Sequence, residues 1–391
     1  MTTVEQIVGA GRLPPEVLEL KNATREFVNA AVLPHESEIG VTGVVPESVT
    51  NHLRELGYYG LTIPEEYGGL GLRPIEYCAV LEELARAPKP VWNLVNVSNG
   101  VAARVLERYG TARQKDTYLR GIAAGEVVPS ITVTEPEAGS DVQALRTTAR
   151  HIDGGWIING TKHFITFGDR SDCLFVLART DRENGEGKKR FTFFLVRRDN
   201  PGLSVTRVQR NMAGPPHDQA ELAFDDCRVA DQDVLGTEGE GLKAVFATFG
   251  EERVSMAITA LGTAQRAVEL AVDHARSRTA FGQRIADYQA VQHLIVDSAT
   301  ELTAARALTY QVVNDATVGS LRPHQSSMAK LFASEAAGRI VDRCLQVFGG
   351  TGYMEESPIS RLYRDVRVMR LSGGTSEIQR NIIARALLHD D

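Results

Sequence analysis

Three stretches of the chain stand out, and the residues of the first are suited to binding a flat, polar ligand. The first is VTEPEAGSD (133–141), in which Pro136 and Gly139 predict a rigid turn. Backbone amides, hydroxyl groups and small side chains follow one another in this turn. A ligand can therefore approach the backbone closely there.

The second and third stretches lie in the C-terminal half of the chain. The second is RTAFGQ (278–283), with Gln289 beyond it. The third begins with QVFGGTGY (346–353) and continues through Arg364 and Asp365 to GGTSEIQR (373–380). Its first glycines predict the end of a helix followed by a turn. A helix end with open backbone groups is a useful place to bind a cofactor.

Several other ligand-binding patterns are missing from the sequence. No G-x-G-x-x-G follows a predicted strand, so nothing indicates a Rossmann dinucleotide site. The run from Gly155 to Lys162 resembles a P-loop, but its last residues stand in the wrong order. There is no H-E-x-x-H motif, and we expect no metal site.

Length, charge and composition exclude several further classes of protein. A chain of 391 residues predicts two or three domains, and its net charge of -7 argues against a nucleic-acid-binding protein. It contains no apolar run of about 18 residues, so we expect no membrane span. Neither a signal peptide nor a peroxisomal address is expected. The four cysteines are far apart in the sequence, which favours buried thiols and a reducing, cytoplasmic location.

Apolar periodicity divides the chain into helical, β and helical parts. Residues 1–127 form a predicted helical domain, with helices at 16–31, 75–87 and 100–124. Pro34 is expected to end the first helix, and Thr111 is expected to cap a new helix after a break near Gly110.

A predicted β domain covers residues 128–237. Residues 155–166 read as a glycine-rich turn between two apolar runs, and strands are expected at 173–180, 191–198 and 221–229. The polar residues 181–190 predict an exposed hairpin loop. Residues 238–391 predict a bundle of long helices at 241–278, 285–317, 323–347 and 376–388.

The three stretches, in this order and at these separations, resemble the acyl-CoA dehydrogenase family over nearly the whole chain. The resemblance implies a mainly α fold with a middle β domain: an N-terminal helical domain, a β-barrel-like domain and a C-terminal four-helix bundle. It also implies an FAD-dependent oxidoreductase in fatty-acid or branched-chain acyl metabolism. Such an enzyme acts on an acyl-CoA, passes electrons to an electron-transfer flavoprotein and usually forms a homotetramer.

The resemblance assigns roles to individual residues. Thr134 would contact the flavin ring, and Ser140 would lie near the thioester or the cofactor. Phe164 and Thr166 would lie beside the flavin, where the family usually has an aromatic residue followed by a hydroxyl. Five further positions resemble FAD contacts: Gln289, Gln346, Gly350, Thr375 and Glu377.

Arg278 and Phe281 resemble a pair that reaches the FAD of a neighbouring subunit. The Arg278 guanidinium would donate charge-assisted hydrogen bonds to the pyrophosphate. Three alternatives remain open from the residues themselves. Phe164 and Phe281 are each also compatible with plain core packing, and Arg278 with a solvated surface position.

The reaction of this family needs a carboxylate that removes the α-proton of the thioester while hydride leaves Cβ. Most members carry it two residues before the Thr of a Glu-Gly-Thr-Ser motif. Here that position is Gly373. The backbone N–H of Gly373 is retained, and in the family this amide polarises the thioester carbonyl together with a ribityl hydroxyl of FAD.

Members that act on long or branched acyl chains, such as isovaleryl-CoA and long-chain acyl-CoA dehydrogenases, place the base on a helix just before an Arg. Glu252 matches that position, and Arg253, a predicted substrate contact, follows it. Val245, Phe249 and Met256 lie at helical spacing from Glu252, so we expect burial to raise its pKa. Glu251 as the base, or two solvated carboxylates, are the alternatives.

Substrate class stays open at this stage. Residues 210–218 depart from the Gly-Arg/Ser pattern that the family usually has near the substrate entrance. Acyl length, branching and presentation on CoA or on a carrier protein are therefore undecided. A flavin-dependent oxidase, a non-redox lyase and a non-catalytic acyl-thioester binder are alternative functions on the same fold.

Overall fold

The computed structural model describes residues 13–180, 190–215 and 218–389. The chain divides into two compact units. A helical unit consists of Met1–Val49, Leu72–Asn93 and Gly250–Asp391, and a sheet-containing unit consists of Thr50–Gly71 and Leu94–Phe249. Most of the hairpin loop predicted at 181–190, and residues 216–217 of the segment at 210–218, lie outside the described residues. The domain borders at 127 and 237 remain predictions.

The N-terminal part of the chain is helical, as predicted. Its helices are α1 (Pro15–Phe27), α2 (Glu36–Thr42), α3 (Glu47–Glu55), α4 (Pro74–Leu84), α5 (Lys89–Asn99), α6 (Val101–Tyr109) and α7 (Ala112–Ala123). The predicted break near Gly110 is confirmed. Thr111 caps α7, and its hydroxyl accepts a hydrogen bond from the Gln114 N–H at 3.2 Å.

The first helical segment ends at Val32, just before Pro34, as predicted, but another helical segment follows at once. The chain passes from α1 through a π-helical turn (Val28–Val32) into a 3₁₀ turn (Leu33–His35) that contains Pro34, and α2 begins directly afterwards. Proline is tolerated at the start of a helical segment because the N–H it lacks would have no intrahelical partner there. The pattern of one proline therefore marks a junction between helical segments.

The middle of the chain forms a sheet. Its strands are β1 (Pro129–Thr132), β2 (Thr148–Ile152), β3 (Gly155–Thr166), β4 (Cys173–Arg179), β5 (Phe191–Arg197), β6 (Leu203–Gln209), β7 (Gln219–Ala230) and β8 (Val234–Leu235). The order is β6-β7-β3-β2-β4-β5-β8, and β1 pairs with β4 in parallel.

Residues 155–166 form the single strand β3 and not a turn between two runs, which corrects the prediction. Gly160 lies inside the strand with a φ of 151°. A Cβ there would come within 2.7 Å of the Thr147 Cα, so only glycine fits beside the neighbouring backbone. The glycine therefore marks a close approach inside a strand.

β4 and β5 are buried on both faces, which explains their continuous apolar sequences. Phe175 and Phe193 point into a core that includes Leu106 of α6. Leu174 and Phe194 point into a second core on the opposite face. Successive side chains of β4 and β5 thus point alternately into the two cores, and neither face of these strands is exposed to solvent.

The C-terminal part returns to helices, as predicted. Its elements are α8 (Gly241–Ser277), a hairpin of β9 (Thr279–Ala280) and β10 (Gln283–Arg284), α9 (Gln289–Thr317), α10 (Pro323–Phe348), the single turn α11 (Gly350–Tyr353), α12 (Pro358–Val366) and α13 (Ser376–Leu388). The predicted fold class, mainly α with a middle β part, is confirmed. All four cysteines are buried and free, as predicted. Within the described ranges, no helix combines the length and the apolar character needed to cross a bilayer.

A buried cluster of charges joins helices of the helical unit. The Glu82 carboxylate on α4 accepts hydrogen bonds from Lys21 Nζ of α1 at 2.5 Å, and from Arg306 Nε and the Tyr310 hydroxyl of α9 at 2.7 Å each. Burial acts to raise the pKa of Glu82, but Arg306 and Lys21 outweigh it and hold that pKa well below its usual range. The carboxylate is therefore ionised in the folded protein.

Glu82→Gln should destabilise the helical unit because it leaves two buried cations with a neutral partner. Removing one partner of a buried ion pair costs about 3–5 kcal/mol, and calorimetry should show a corresponding drop in Tm at pH 7.

The effect of this substitution should depend on pH. Since the pKa of Glu82 is lowered by folding, the contribution of Glu82 to the free energy of unfolding is complete above the ordinary pKa of 4.5. The difference between wild type and variant should shrink as the pH falls below that value. Asp199→Asn, which breaks an exposed pair with Arg197, is the control and should leave Tm unchanged. Equal Tm values for Glu82→Gln and wild type would contradict the structural role.

Candidate active site

A buried lysine fixes the turn that carries Thr134. Lys162, on β3, is fully buried. Its ammonium donates to the Val133 carbonyl at 2.9 Å, to the Leu177 carbonyl at 2.7 Å and to Glu135 Oε1 at 2.8 Å. All three N–H bonds of the ammonium are therefore used, and two of them hold residues that flank Thr134.

Glu135 extends this network into the chain beyond the turn. Its carboxylate also accepts hydrogen bonds from the backbone N–H groups of Arg146 at 2.6 Å and Thr147 at 3.0 Å. Burial lowers the pKa of Lys162 to about 8 although Glu135 opposes that shift. Thr134 is half-buried and Ser140, further along the turn, is exposed. The turn is thus anchored from inside while its outer groups stay open.

A β-bulge directs Phe164 outward. Between Lys162 and Ile165, two residues of β3 lie opposite the single residue Glu221 of β7. Phe164 takes a φ of 57°, is 58% exposed and stacks on the His163 ring with 4.0 Å between centroids. The alternative prediction that Phe164 packs in the core is therefore wrong.

The same bulge lies next to the Thr134 turn. The His163 N–H donates to the Thr134 carbonyl at 2.8 Å, and the half-buried Thr166 lies two residues beyond Phe164. The structure thus brings together Thr134, Phe164 and Thr166, one exposed aromatic ring with two hydroxyl groups.

Arg278 and Phe281 lie at a tight hairpin beyond α8. Phe281 and Gly282 form its tip with φ values of 51° and 85°. Phe281 is 97% exposed, so the alternative prediction that it packs in the core is also wrong. A bulky residue held at positive φ is strained, and such strain clusters at functional sites. Arg278 and Gln289, on either side of the hairpin, are both exposed.

The end of α10 lies beside the end of α8. The His274 ring of α8 stacks on Phe348 with 4.2 Å between centroids. Burial and the nearby Arg278 cation both lower the pKa of His274. Gln346 and Gly350, both exposed, flank Phe348. The structure therefore groups the second stretch with the first part of the third.

Gly373 and Gly374 form a turn before α13, called here the glycine turn. Their φ values are 62° and 88°, which only glycine adopts without strain. The Gln379 amide donates to the Gly373 carbonyl at 3.2 Å and to the Gly374 carbonyl at 2.8 Å, and Lys330 Nζ donates to the Gly374 carbonyl at 2.8 Å. Both carbonyls are thus bound, whereas neither glycine N–H donates a hydrogen bond within the described residues.

The glycine turn lies against the face of α8 that carries Glu252. A Cβ placed at Gly373 would overlap the Met256 Sδ, and Met256 is one helical turn from Glu252 on the same face. Glu252 is half-buried, as is Glu251. Arg253 is buried, and burial lowers its pKa.

The remaining predicted contacts lie where the glycine turn meets α13. Thr375 caps this helix, and its hydroxyl accepts a hydrogen bond from the Ile378 N–H. Glu377 is exposed in the first turn, where its own backbone N–H and the Thr375 hydroxyl lower its pKa. Among the described residues, no group of three or more His, Cys, Asp or Glu side chains has the arrangement of a metal site.

Comparisons with known proteins show the family of the chain. Family models described as the N-terminal, middle and C-terminal domains of acyl-CoA dehydrogenase match residues 14–126, 130–227 and 239–388. Isovaleryl-CoA dehydrogenase of Oryza sativa is 32% identical over 95% of this chain and 91% of its own length.

The chain belongs to the acyl-CoA dehydrogenase family. It is therefore an FAD-dependent oxidoreductase. A chain in a structure of the electron-transferring flavoprotein of Acidaminococcus fermentans has a TM-score of 0.90 and 33% identity, with 97% of this chain and 99% of that chain covered. An acyl-CoA dehydrogenase of Bacillus anthracis complexed with FAD has a TM-score of 0.89 and 28% identity, with 99% and 69% covered.

The residues at the predicted flavin positions fit this cofactor. Phe164 offers an exposed aromatic face beside the Thr134 and Thr166 hydroxyl groups, which suits a flat ring with polar edges. The exposed Arg278 guanidinium suits a pyrophosphate, and the exposed Phe281 ring suits an aromatic part of the ligand.

Lys162→Met should loosen the Thr134 turn. Removing one partner of a buried ion pair costs about 3–5 kcal/mol, and the freed Val133 carbonyl no longer fixes the turn. We expect a lower Tm and a lower flavin-to-protein ratio after gel filtration. Lys243→Met, at an exposed lysine of the same unit, is the matched control, and its Tm and flavin-to-protein ratio should equal those of the wild type. Full flavin content in Lys162→Met would contradict the assigned role.

Proposed function

We propose that this acyl-CoA dehydrogenase converts an acyl-CoA to the trans-2-enoyl-CoA, with Glu252 as the base, and passes the electrons to an electron-transfer flavoprotein. One observation carries the proposal. The glycine turn presents two N–H groups that have no acceptor among the described residues, and it lies against the helix face that carries Glu252. A hydrogen-bond donor for a thioester oxygen and a carboxylate for its α-proton are thus available on adjacent segments.

The chain's own groups divide the chemistry between them. The Gly373 N–H donates to the thioester carbonyl and stabilises the negative charge that develops on its oxygen. The Glu252 carboxylate accepts the α-proton, and the C–H electron pair becomes the double bond as hydride leaves Cβ. FAD, when bound, supplies the acceptor for that hydride.

The structure also gives a physical reason for a base at 252. Position 373 has a φ of 62°, and its Cβ would overlap Met256. A glutamate there requires both backbone strain and movement of Met256. A carboxylate on α8 avoids both costs and leaves the Gly373 N–H in place.

Substrate class follows from the position of the base. Glu252 directly precedes Arg253, as in the family members that act on branched or long acyl chains, and one relative is named isovaleryl-CoA dehydrogenase. We therefore propose a branched or long acyl-CoA as substrate. The four buried, free cysteines support a separate proposal, that the enzyme works in a reducing, cytoplasmic location. Anaerobic bleaching of the flavin across butanoyl-, octanoyl-, palmitoyl- and isovaleryl-CoA tests the substrate class.

Glu252→Gln should abolish most activity because the amide cannot accept the proton. A general base contributes about 10²–10⁴-fold, and stopped-flow reduction of the flavin should slow by that factor. Flavin content and acyl-CoA binding should persist, since neither depends on this charge. Glu251→Gln is the matched control: near-normal reduction in that variant and slow reduction in Glu252→Gln are expected. The reverse pattern would make Glu251 the base.

A second variant tests whether both family positions reach the same proton. Gly373→Glu in the Glu252→Gln background should recover little activity, because the new side chain meets Met256. Adding Met256→Ala removes that overlap, so the triple variant should recover more. No difference between the double and the triple variant would count against the contact between the glycine turn and α8.

The length of α8 supports an oligomer. At 1.5 Å per residue, Arg278 lies about 39 Å along the helix from Glu252, much farther than an FAD molecule extends. Arg278 and Glu252 of one chain therefore do not serve one cofactor. Family members usually form homotetramers in which this arginine reaches a neighbour's FAD, and we propose the same assembly here.

Subunit mixing tests this arrangement directly. Arg278→Ala alone should lose FAD, and Glu252→Gln alone should be inactive. Co-expression of the two variants should restore part of the activity, because a hybrid oligomer contains sites with both an intact Glu252 and a neighbour's Arg278. Absence of recovery in confirmed hybrids, or an active monomer of 42.7 kDa by light scattering, would refute the shared site.

Two observations separate the alternative functions. An oxidase would consume oxygen in proportion to product without an electron-transfer flavoprotein. A non-catalytic binder or a non-redox lyase would bind acyl-CoA without bleaching the flavin under anaerobic conditions.

A further inference from the structure

Lys330 is a fully buried cation that the chemistry above does not use. It lies on α10, and its only hydrogen bond within the described residues goes from Nζ to the Gly374 carbonyl at 2.8 Å. Lys162, the other fully buried lysine described, uses all three of its N–H bonds. The burial of the Lys330 ammonium is therefore offset by fewer hydrogen bonds than the burial of the Lys162 ammonium.

Packing alone does not explain a lysine at this place. An ammonium removed from water costs several kcal/mol unless it is well paired, and an apolar side chain of similar length would fill the same volume. The Gly374 carbonyl, moreover, already accepts a hydrogen bond from Gln379. The lysine adds a positive charge and a second restraint on one particular peptide group.

These bonds restrain two consecutive peptide units of the glycine turn. Lys330 and Gln379 hold the unit that follows Gly374, and Gln379 also holds the unit between Gly373 and Gly374, which contains the Gly374 N–H. The Gly373 N–H lies in the peptide unit before these two, so its direction depends on the backbone conformation in which they hold Gly373. Glycine has the widest choice of backbone conformations, so a turn of two glycines needs external restraints to keep one orientation. Lys330 and Gln379 provide these restraints from two different helices.

We propose that Lys330 is a positioning residue for the oxyanion donor: its ammonium locks the glycine turn so that the Gly373 N–H meets the thioester carbonyl. The positive charge also stabilises the negative charge that develops on that oxygen when the α-proton leaves. This inference rests on the proposed dehydrogenation and adds a residue to it. Lys330 itself acts through the turn and does not need to touch the substrate.

The charged groups around Lys330 make its state sensitive to pH. Burial first and the neighbouring Arg253 cation second lower the pKa of Lys330 to about 8, whereas Glu335 and Glu377 oppose the shift. Glu335 is itself engaged with the Ser376 hydroxyl at 2.7 Å and with Arg370. Lys330 is therefore charged below this pKa and loses its charge as the pH rises through it.

The experiment compares wild type with Lys330→Met, Lys330→Gln and Lys330→Arg, each purified with FAD. Met and Gln have the same length, but of these two only Gln keeps a donor for the Gly374 carbonyl. Arg keeps both a donor and the positive charge. Removing one direct oxyanion donor costs about 10²–10³-fold in kcat, so we expect a loss of at least about 10-fold for Met with KM changed little. Gln should be intermediate, and Arg should be nearest to wild type.

The pH profile separates positioning from a merely structural role. The wild-type kcat should fall as the pH rises through about 8. That alkaline limb should be absent in Lys330→Met and should move to higher pH in Lys330→Arg, because the guanidinium keeps its charge. The wild-type profile needs no variant, so the inference stays testable if a substitution prevents folding.

A substrate analogue isolates the oxyanion step. The 3-thia analogue of the best straight-chain acyl-CoA has sulfur at the β-position, so its α-proton can leave but no hydride can follow. The long-wavelength charge-transfer absorption between the resulting enolate and the flavin should be weaker in Lys330→Met at equal analogue occupancy. Lys21→Met, which breaks a buried pair with Glu82, is the stability control and should lower Tm while it leaves kcat and this absorption unchanged.

The outcomes distinguish this inference from the proposed function. Wild-type flavin that neither bleaches with any acyl-CoA nor shows charge-transfer absorption would overturn the dehydrogenation itself. An active wild type with equal kcat, pH profile and charge-transfer absorption in Lys330→Met would overturn only the role of Lys330.

Discussion

A lysine ammonium removed from water is stabilised by nearby oxygen acceptors, and in this enzyme two buried lysines bind carbonyl groups of two turns. Lys162 binds two carbonyls and a carboxylate, and it thereby sets the Thr134 turn of the sheet-containing unit. Lys330 binds the Gly374 carbonyl and thereby sets the glycine turn of the helical unit. In each case a costly buried charge controls the conformation of a peptide segment whose outer groups are open.

The glycine turn packs against α8, and the residue types on the two sides of this contact depend on each other. Because Gly373 has no side chain, Met256 packs against the turn, and in the proposed mechanism Glu252 on α8 supplies the carboxylate instead. The helix that carries this carboxylate ends at Ser277, and Arg278 directly follows it, about 39 Å from Glu252 along the helix at 1.5 Å per residue. The length of this helix thus separates the proposed site of proton removal from the proposed contact with a neighbour's cofactor, which supports the proposed oligomer.

The sequence predicted the elements that have strong local signals. Long amphipathic helices, the Thr111 cap and the strands at 173–180 and 191–198 follow from periodicity and capping chemistry. The turn predicted inside residues 155–166 is wrong because a glycine can also lie inside a strand where a neighbouring backbone comes close.

The candidate site was less accessible from sequence. The motifs indicated Thr134 and Gly373, but the bulge that exposes Phe164 depends on pairing with β7, which no local pattern encodes. Lys330 lies amid apolar neighbours in SSMAKLFA, and a charged residue on a buried helix face was its only signal. Its partner, Gly374, is 44 residues away in sequence and is brought close only by tertiary packing.

The most direct test of the central claim, that Glu252 removes the α-proton, is exchange of that proton with solvent. Incubation of the wild-type enzyme in D₂O with a 3-thiaacyl-CoA, followed by mass spectrometry, should show deuterium entering the α-carbon. Glu252→Gln with full flavin content should show no exchange above the rate without enzyme, and Glu251→Gln should exchange like wild type. Exchange at the wild-type rate in Glu252→Gln would contradict the account.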